Sequence, residues 1–368
     1  MRAAAEAPSR RRRLAAFLAE LPKAELHVHL EGSIAPGTLL RLARRHGVEL
    51  PARDEAGLAE WFRFRDFPHF VEVYLTCSRC LRDPEDFHTL CLDFLAEQAR
   101  QRIVWSEVHF TISTHLANGG DGEAIRQALS AAAEEGARRW GVRLGLIPDI
   151  VRNAPAERAD WTVEWILGSP PSRPASAGAT GAVLALGLAG MEAGFPPDPF
   201  APHFEAVAGY RRVAHAGEHA GPDSVWRALD VLGAERIGHG VRSIEDPALV
   251  AELARRRVPL EVCPTSNLRL GVYPDLAAHP IARLRQAGVP LSVGSDDPPL
   301  FGTTLTGELL DLAETFGWQE AELAELVAAA WEQSFLPEAE KQAWVEQVRQ
   351  TPVPLRSPLP PPGGRGPG

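Results

Sequence analysis

Eight short apolar runs of β type, separated by stretches with helical period or composition, constrain this chain more than any single motif does. The runs fall at Ala24–Leu30, Ile103–Phe110, Arg143–Val151, Ala182–Ala189, Arg212–Ala216, Arg236–His239, Pro259–Cys263 and Pro290–Gly294. Between them lie helical segments such as Glu85–Gln101, Gly122–Trp140, Asp223–Leu232, Asp246–Arg257 and Ile281–Ala287. Strands that alternate with crossover helices pair in parallel, and eight in succession predict a closed (β/α)8 barrel of the TIM type. A doubly wound open sheet is the alternative. With 368 residues, 45% of them hydrophobic, the chain has enough material for a core of that size.

Two stretches interrupt the alternation. Residues Gly47–Ala99 hold more helix than one crossover requires, around the aromatic run Trp61-Phe-Arg-Phe-Arg-Asp-Phe-Pro-His-Phe70. Extra helices are therefore expected after the first strand, either covering the barrel mouth or packing on its side. Gly168–Thr180, rich in Ser, Pro, Gly and Ala, reads as a surface loop. Residues 1–350 are expected to form one barrel domain, and 351–368 a disordered Pro/Gly-rich tail. At the other end, Arg2 and Arg10 to Arg13 read as a solvated leader. They do not read as a targeting peptide, because Leu14–Leu21 contains Glu20 and no small-residue cleavage site follows.

Charge and cysteine usage exclude whole classes of function. A net charge of −10 provides no basic field for a phosphate backbone, so nucleic acid is not an expected partner. No window approaches the ~18 apolar residues of a membrane helix. Four cysteines, at 77, 80, 91 and 263, are too few for a disulfide framework in so long a chain, and a reducing cytoplasm fits them best. The oligomeric state is left open.

Polar residues gather where the strands end. His27 and His29 are two apart on the first strand, and side chains alternate along a strand, so both leave one face. His215-Ala-Gly-Glu218 follows the fifth strand, His239-Gly240 the sixth and Ser295-Asp-Asp-Pro298 the eighth. In a barrel the carboxyl ends of the strands form one rim where active sites collect. His27, His29, His215, His239, Glu218, Asp296 and Asp297 should therefore converge. Imidazoles with a carboxylate suit zinc, and by residue type also iron, cobalt or nickel.

In order along the chain, Pro22-Lys-Ala-Glu-Leu-His-Val-His-Leu-Glu-Gly32, His215-Ala-Gly-Glu218, Arg236-Ile-Gly-His-Gly240, Cys263-Pro-Thr-Ser-Asn267 and Ser295-Asp-Asp-Pro298 resemble the adenosine deaminase family of the amidohydrolase superfamily. The resemblance spans about residues 21 to 340. It implies zinc-dependent hydrolytic deamination of a 6-aminopurine nucleoside in a (β/α)8 barrel, with one Zn2+ per chain held by His27, His29, His215 and Asp296. It further implies that Glu218, protonated through a raised pKa, donates to purine N1 and that His239 holds and deprotonates the attacking water. Asp297 would bond N7, the Gly190 backbone would meet N3, Glu31 would stand near the ribose, and His29 would border the substrate as well.

The substrate expected first is adenosine or deoxyadenosine, giving inosine or deoxyinosine and ammonia. Aminodeoxyfutalosine, free adenine and N6-methyl-AMP are the alternatives, and a catalytically inactive purine-binding relative is the alternative from another class. One departure from the family pattern stands out: His109 occupies a position where Arg is usual, which puts the pocket wall in question. A cytidine-type zinc site is not expected, because Cys77-Ser-Arg-Cys80 lacks the preceding Pro and lies in a helical stretch. Cys263 reads as a small buried hydrophobe. The only lysines, Lys23 and Lys341, lie away from the predicted strand ends, so a carbamylated bridging lysine is not expected.

Overall fold

Each apolar run forms strand in the computed structural model, which describes residues 2–168 and 180–352. The loop expected over 168–180 and the tail expected over 351–368 fall, at 169–179 and 353–368, outside the described residues. The strands are β1 (Lys23–His29), β2 (Ile103–Phe110), β3 (Arg143–Val151), β4 (Ala182–Val183), β5 (Ala185–Ala189), β6 (Arg211–Ala216), β7 (Arg236–His239), β8 (Leu260–Val262) and β9 (Leu291–Val293). Neighbours pair in parallel in chain order, with β4 and β5 sharing the fourth barrel position because the run breaks at Leu184.

Closure happens just past β9. The His29 N–H donates to the Asp296 carbonyl at 2.8 Å, and the Asp296 N–H to the His27 carbonyl at 3.2 Å. The sheet is thus a nearly closed barrel of eight strand positions rather than an open sheet. The same two hydrogen bonds lock Asp296 beside the histidines of β1, although 267 residues separate Asp296 from His29.

The N-terminal arginines correct one expectation. They belong to helix α1 (Arg2–Glu20), whose Leu14, Phe17 and Leu18, with Leu21 just beyond, recur at helical spacing and are buried. Arg10 donates to the carbonyls of Ala313 and Trp318 at the C-terminal end of the helix Leu305–Phe316, where cationic side chains are favoured. Arg11 pairs with Asp311 at 2.9 Å and Arg13 with Glu320 at 2.6 Å. The leader is docked because those arginines meet acids and helix-end carbonyls while the apolar stripe meets the core. Among the described residues no helix is long and apolar enough to cross a membrane.

After β1 the chain makes helices α2 (Pro36–His46), α3 (Glu55–Trp61) and α4 (Phe67–Ser78) before α5 (Pro84–Arg100) crosses back to β2. Asp66 starts α4 by accepting the His69 N–H at 2.8 Å, with Pro68 in the first turn. Phe70 then stacks on Phe301 with ring centroids 5.3 Å apart, and Phe64 meets the same ring edge-on at 5.6 Å. Phe301 ends the short helix that follows Asp297, so this half of the aromatic run lies over the barrel mouth.

Candidate active site

The histidines of β1 share a face, as alternation requires, with ring centroids 5.5 Å apart. His215, near the end of β6, comes within 4.7 Å of the His27 ring, and His239, ending β7, within 4.9 Å. Asp296 Oδ1 lies 3.2 Å from His29 Nε2 and 3.6 Å from His27 Nε2, and His29 Nε2 lies 3.2 Å from His215 Nε2. The ligand nitrogens of His27, His215 and His239 fall within 4.8 Å of one another. His239 and Asp296 themselves adopt left-handed backbone, φ 60° and 62°. Non-glycine residues held there carry strain that the surrounding structure must impose, which is common at functional sites.

Second hydrogen bonds set the tautomers. Glu261 Oε2 lies 2.8 Å from His27 Nδ1, and Arg236 beside it holds this carboxyl down at about 2, so the carboxylate accepts and Nδ1 carries the proton. His215 Nδ1 donates to the Leu188 carbonyl at 3.0 Å. Nε2 of both rings is left to the centre of the cluster, and that of His27 is buried with no hydrogen-bond partner. Burial disfavours charge on His27, yet Asp296 and Glu261 outweigh it and push the imidazole up to about 10. Such a centre favours a cation, and its nitrogen and carboxylate donors fit a zinc-like ion. Cys263 Sγ also comes within ligand reach of His27 and Asp296, but burial raises its thiol far above the ordinary value and it stays protonated.

The adjacent aspartates diverge. Burial would raise both, but His27 and His29 hold Asp296 well below the usual carboxylate range, while Asp297, beside the Asp296 charge, is pushed well above it. Asp297 Oδ1 is buried without a hydrogen-bond partner, and a methyl group on Gly32 would overlap it at 1.6 Å, so only glycine fits beneath it. Asp297 joins His29, His215, Glu218, His239, Asp296 and Gly190 in lining a cavity of about 280 Å³, walled by Phe67, Phe70 and Tyr74 of α4. Gly190 ends β5 at φ 90°, a conformation glycine alone adopts readily. A larger hollow of about 430 Å³ at the opposite rim holds no histidine.

Three expectations need correction. Glu31 does not line the cavity: its Oε1 accepts from Thr111 N–H at 2.8 Å, the Thr111 hydroxyl at 2.5 Å and His115 Nε2 at 3.1 Å, which hold it in the wall behind. Glu218 is not raised: burial pushes it up, but His239 and His219 outweigh that and hold it below its ordinary value. His219 Nδ1 lies 3.1 Å from Glu218 Oε2, and Asn267 donates to Oε1 at 3.3 Å. His109 sits beneath the histidine cluster instead of in the pocket wall, its Nδ1 3.0 Å from Asp149 and its ring 4.8 Å from His27.

Other supporting residues went unassigned from sequence. Glu192 accepts four successive backbone N–H groups, those of Gly217, Glu218, His219 and Ala220, at 2.5 to 3.0 Å, and so fixes the loop carrying Glu218. Glu261 could have been noticed as an acid inside the apolar β8 run, where an unpaired charge is not tolerated. Asn267 lies in a quoted motif and bridges Glu218, His239 and His279. Cys77 lies in α4 and Cys80 in the turn just beyond it, not on the helix as expected, and both are free and buried.

The family model described as adenosine deaminase matches residues 22–351. The chain belongs to the adenosine deaminase family. It is 40% identical over 332 residues to the aminodeoxyfutalosine deaminase of Streptomyces avermitilis, covering 90% of this chain and 91% of that one. The crystal structure of an adenine deaminase from Arthrobacter aurescens superposes with a TM-score of 0.83 at 32% identity, over 90% of this chain and 98% of that one. An amidohydrolase from Burkholderia ambifaria, solved with bound Zn, gives 0.81 at 25% identity, over 92% and 93%. Family membership makes the chain a hydrolase of the purine deaminase class, acting on the C–N bond of a cyclic amidine.

Proposed function

We propose that the chain deaminates a 6-aminopurine nucleoside hydrolytically at C6, with one zinc ion held by His27, His29, His215 and Asp296. The observation that carries the reading is the buried Nε2 of His27, unpartnered in a cluster of imidazoles whose carboxylates favour a cation. When bound, zinc supplies Lewis-acid activation of water near neutral pH; the choice of zinc is supported by the donor set and by the Zn-bound relative.

The protein side chains do the rest. His239, deprotonated because burial pushes its imidazole down, accepts the proton of the attacking water. Glu218, ionised in the free protein because His239 and His219 hold it down, takes up a proton as the purine binds and passes it to N1 as oxygen adds to C6, and Asp297, kept protonated by burial and its Asp296 neighbour, donates to N7. The Gly190 N–H meets N3. The amine collects the proton that His239 took from water and leaves as ammonia, and the C6 hydroxyl returns its proton to Glu218 as the carbonyl forms. Phe67, Phe70 and Tyr74 exclude bulk water from these transfers.

A nucleoside is favoured over the free base because about 280 Å³ exceeds what a bare bicyclic ring fills. The similarity to an aminodeoxyfutalosine deaminase supports a nucleoside and extends the choice beyond adenosine to 5'-modified nucleosides, while the similarity to adenine deaminases supports free adenine as the second reading. Cytoplasmic location is part of this reading, supported by four cysteines that remain unpaired. Formation of the 6-oxopurine from adenosine, deoxyadenosine, adenine, aminodeoxyfutalosine and N6-methyl-AMP on zinc-loaded protein tests it. Turnover of a nucleoside supports it, and tight purine binding with no product from any of the five overturns it in favour of an inactive binder.

A further inference from the structure

Glu218 must acquire a proton before it can give one away, and few side chains around it have one to offer. Its Oε1 faces Asn267, which donates an amide hydrogen at 3.3 Å and does not titrate, and His239 Nδ1 at 3.7 Å, in an imidazole that burial keeps neutral. Its Oε2 faces His219, whose Nδ1 lies 3.1 Å away. The backbone of His219 is fixed on both sides: its N–H donates to Glu192 at 2.8 Å and its carbonyl accepts from Arg242 at 2.9 Å. Phe67 of α4 packs on the ring, with centroids 4.5 Å apart. The imidazole is left with one polar contact, Nδ1 to Glu218, because Nε2 is buried without a hydrogen-bond partner.

The charged and titratable groups around His219 are Glu218, Glu192, Arg242 and His239. Burial lowers its pKa, but Glu218 and then Glu192 outweigh burial and Arg242 and raise the imidazole above its ordinary 6.5. Near neutral pH the free pair is therefore an imidazolium beside a carboxylate. An imidazolium donates from both nitrogens, and Nε2 has no acceptor, so the charged ring is held by the Glu218 contact alone. A purine filling the cavity lined by Glu218 and Phe67 removes water from the pair, and desolvation favours two neutral groups over two charged ones.

Resting on the purine reading above, we infer that His219 stores the proton that Glu218 delivers, passing it from Nδ1 to Oε2 when a purine covers the carboxylate and taking it back after each turnover. The Nδ1–H bond breaks with its electron pair left on nitrogen, and an O–H bond forms at Oε2. Once the C6 hydroxyl has returned a proton to Glu218 and the product departs, that proton moves back to Nδ1. The pair holds one proton throughout the cycle and draws none from solvent. His219 does not line the cavity and acts through Glu218.

A stored proton shows in the pH profile. Between the pKa of Glu218 and that of His219 the pair keeps its proton count, so kcat/KM stays level there and falls about tenfold per pH unit only above the pKa of His219. In His219→Gln the amide still donates to Oε2 but cannot titrate. Glu218 must then draw on bulk water, and kcat/KM should fall about tenfold per pH unit from about pH 6 upward.

The test follows kcat/KM from about pH 6 to 9 for the fastest of the five purines named above, on zinc-loaded wild type, His219→Gln and His219→Asn. The His219 imidazole is titrated in the free wild type by NMR, its signal being the one missing from both variants. The descending limb of the wild type should coincide with that titration to within about half a unit, and both variants should lose the level region. The wild-type coincidence decides the matter even where a variant fails to fold. A wild-type limb more than about one unit from the His219 titration, or a variant with the wild-type profile, overturns the storage role and leaves the deaminase reading standing. Absence of product from all five purines on the wild type overturns both.

Discussion

Glu261→Gln exchanges one buried carboxylate oxygen for an amide nitrogen between two groups that both donate. Glu261 is fully buried, with Oε1 2.5 Å from Arg236 Nε and Oε2 2.8 Å from His27 Nδ1. A glutamine can accept from only one of them. If its NH2 faces His27, the imidazole must shift its proton to Nε2 and give up the lone pair meant for the metal. If the NH2 faces Arg236, a buried cation meets a donor and keeps Glu107, 2.6 Å away, as its one carboxylate, beside the Gln333 carbonyl at 3.0 Å. Loss of the carboxylate that orients a metal-binding imidazole lowers metal affinity by about 10- to 100-fold, or about 1.4 to 3 kcal/mol. Breaking the buried ion pair should in addition lower folding stability by up to about 3 to 5 kcal/mol. Glu107→Gln is the control, since Glu107 touches Arg236 but not His27 and should lose stability alone. Competition with a chromogenic chelator gives zinc Kd, and urea unfolding of the metal-free proteins gives stability. The reasoning is refuted if Glu261→Gln binds zinc within about twofold of wild type, or if Glu107→Gln loses affinity equally.

Three further outcomes are expected. Glu192→Ala leaves four backbone N–H groups without their acceptor, so stability should fall by about 2 to 4 kcal/mol and kcat by roughly 10-fold or more through the displaced Glu218; an unchanged kcat would show that the loop holds itself. Burial pushes Lys23 from 10.5 down to about 7, so between those values the unfolded chain binds a proton that the folded chain does not, and stability tied to this residue rises with pH across that window. Lys23→Met should therefore gain most over wild type below pH 7, by at most about 5 kcal/mol, and the difference should shrink toward pH 10 in urea titrations; a pH-independent difference contradicts the shift. If Phe67 to Phe70 form a closing lid, a slowly turned-over purine nucleoside should slow amide exchange in α4, and equal exchange with and without ligand would mark a fixed wall.

The barrel was legible because its signal is local and repeated: apolar runs of strand length, each followed by helical period, leave few topologies. The metal-type cluster was legible because barrel geometry gathers strand ends, so that His27 and Asp296 could be placed together from their positions alone. What escaped depends on long-range pairing. Docking of α1 needed Asp311, Glu320 and the carbonyls at 313 and 318, none of them sequence neighbours. Glu31 stands at the right place in its motif, yet Thr111 and His115 offer it three donors in the wall. The lowered Glu218 likewise depends on which rings surround it, His219 and His239, and burial alone gave the wrong sign.

The most direct test of a metal-dependent purine deaminase is a zinc titration of chelator-stripped protein, with bound metal and 6-oxopurine formation measured together. Activity should rise from background in proportion to zinc and level off at one equivalent per chain, and His29→Ala should neither retain zinc nor turn over. Full turnover by the stripped protein, or stoichiometric zinc and normal turnover in His29→Ala, would contradict the account.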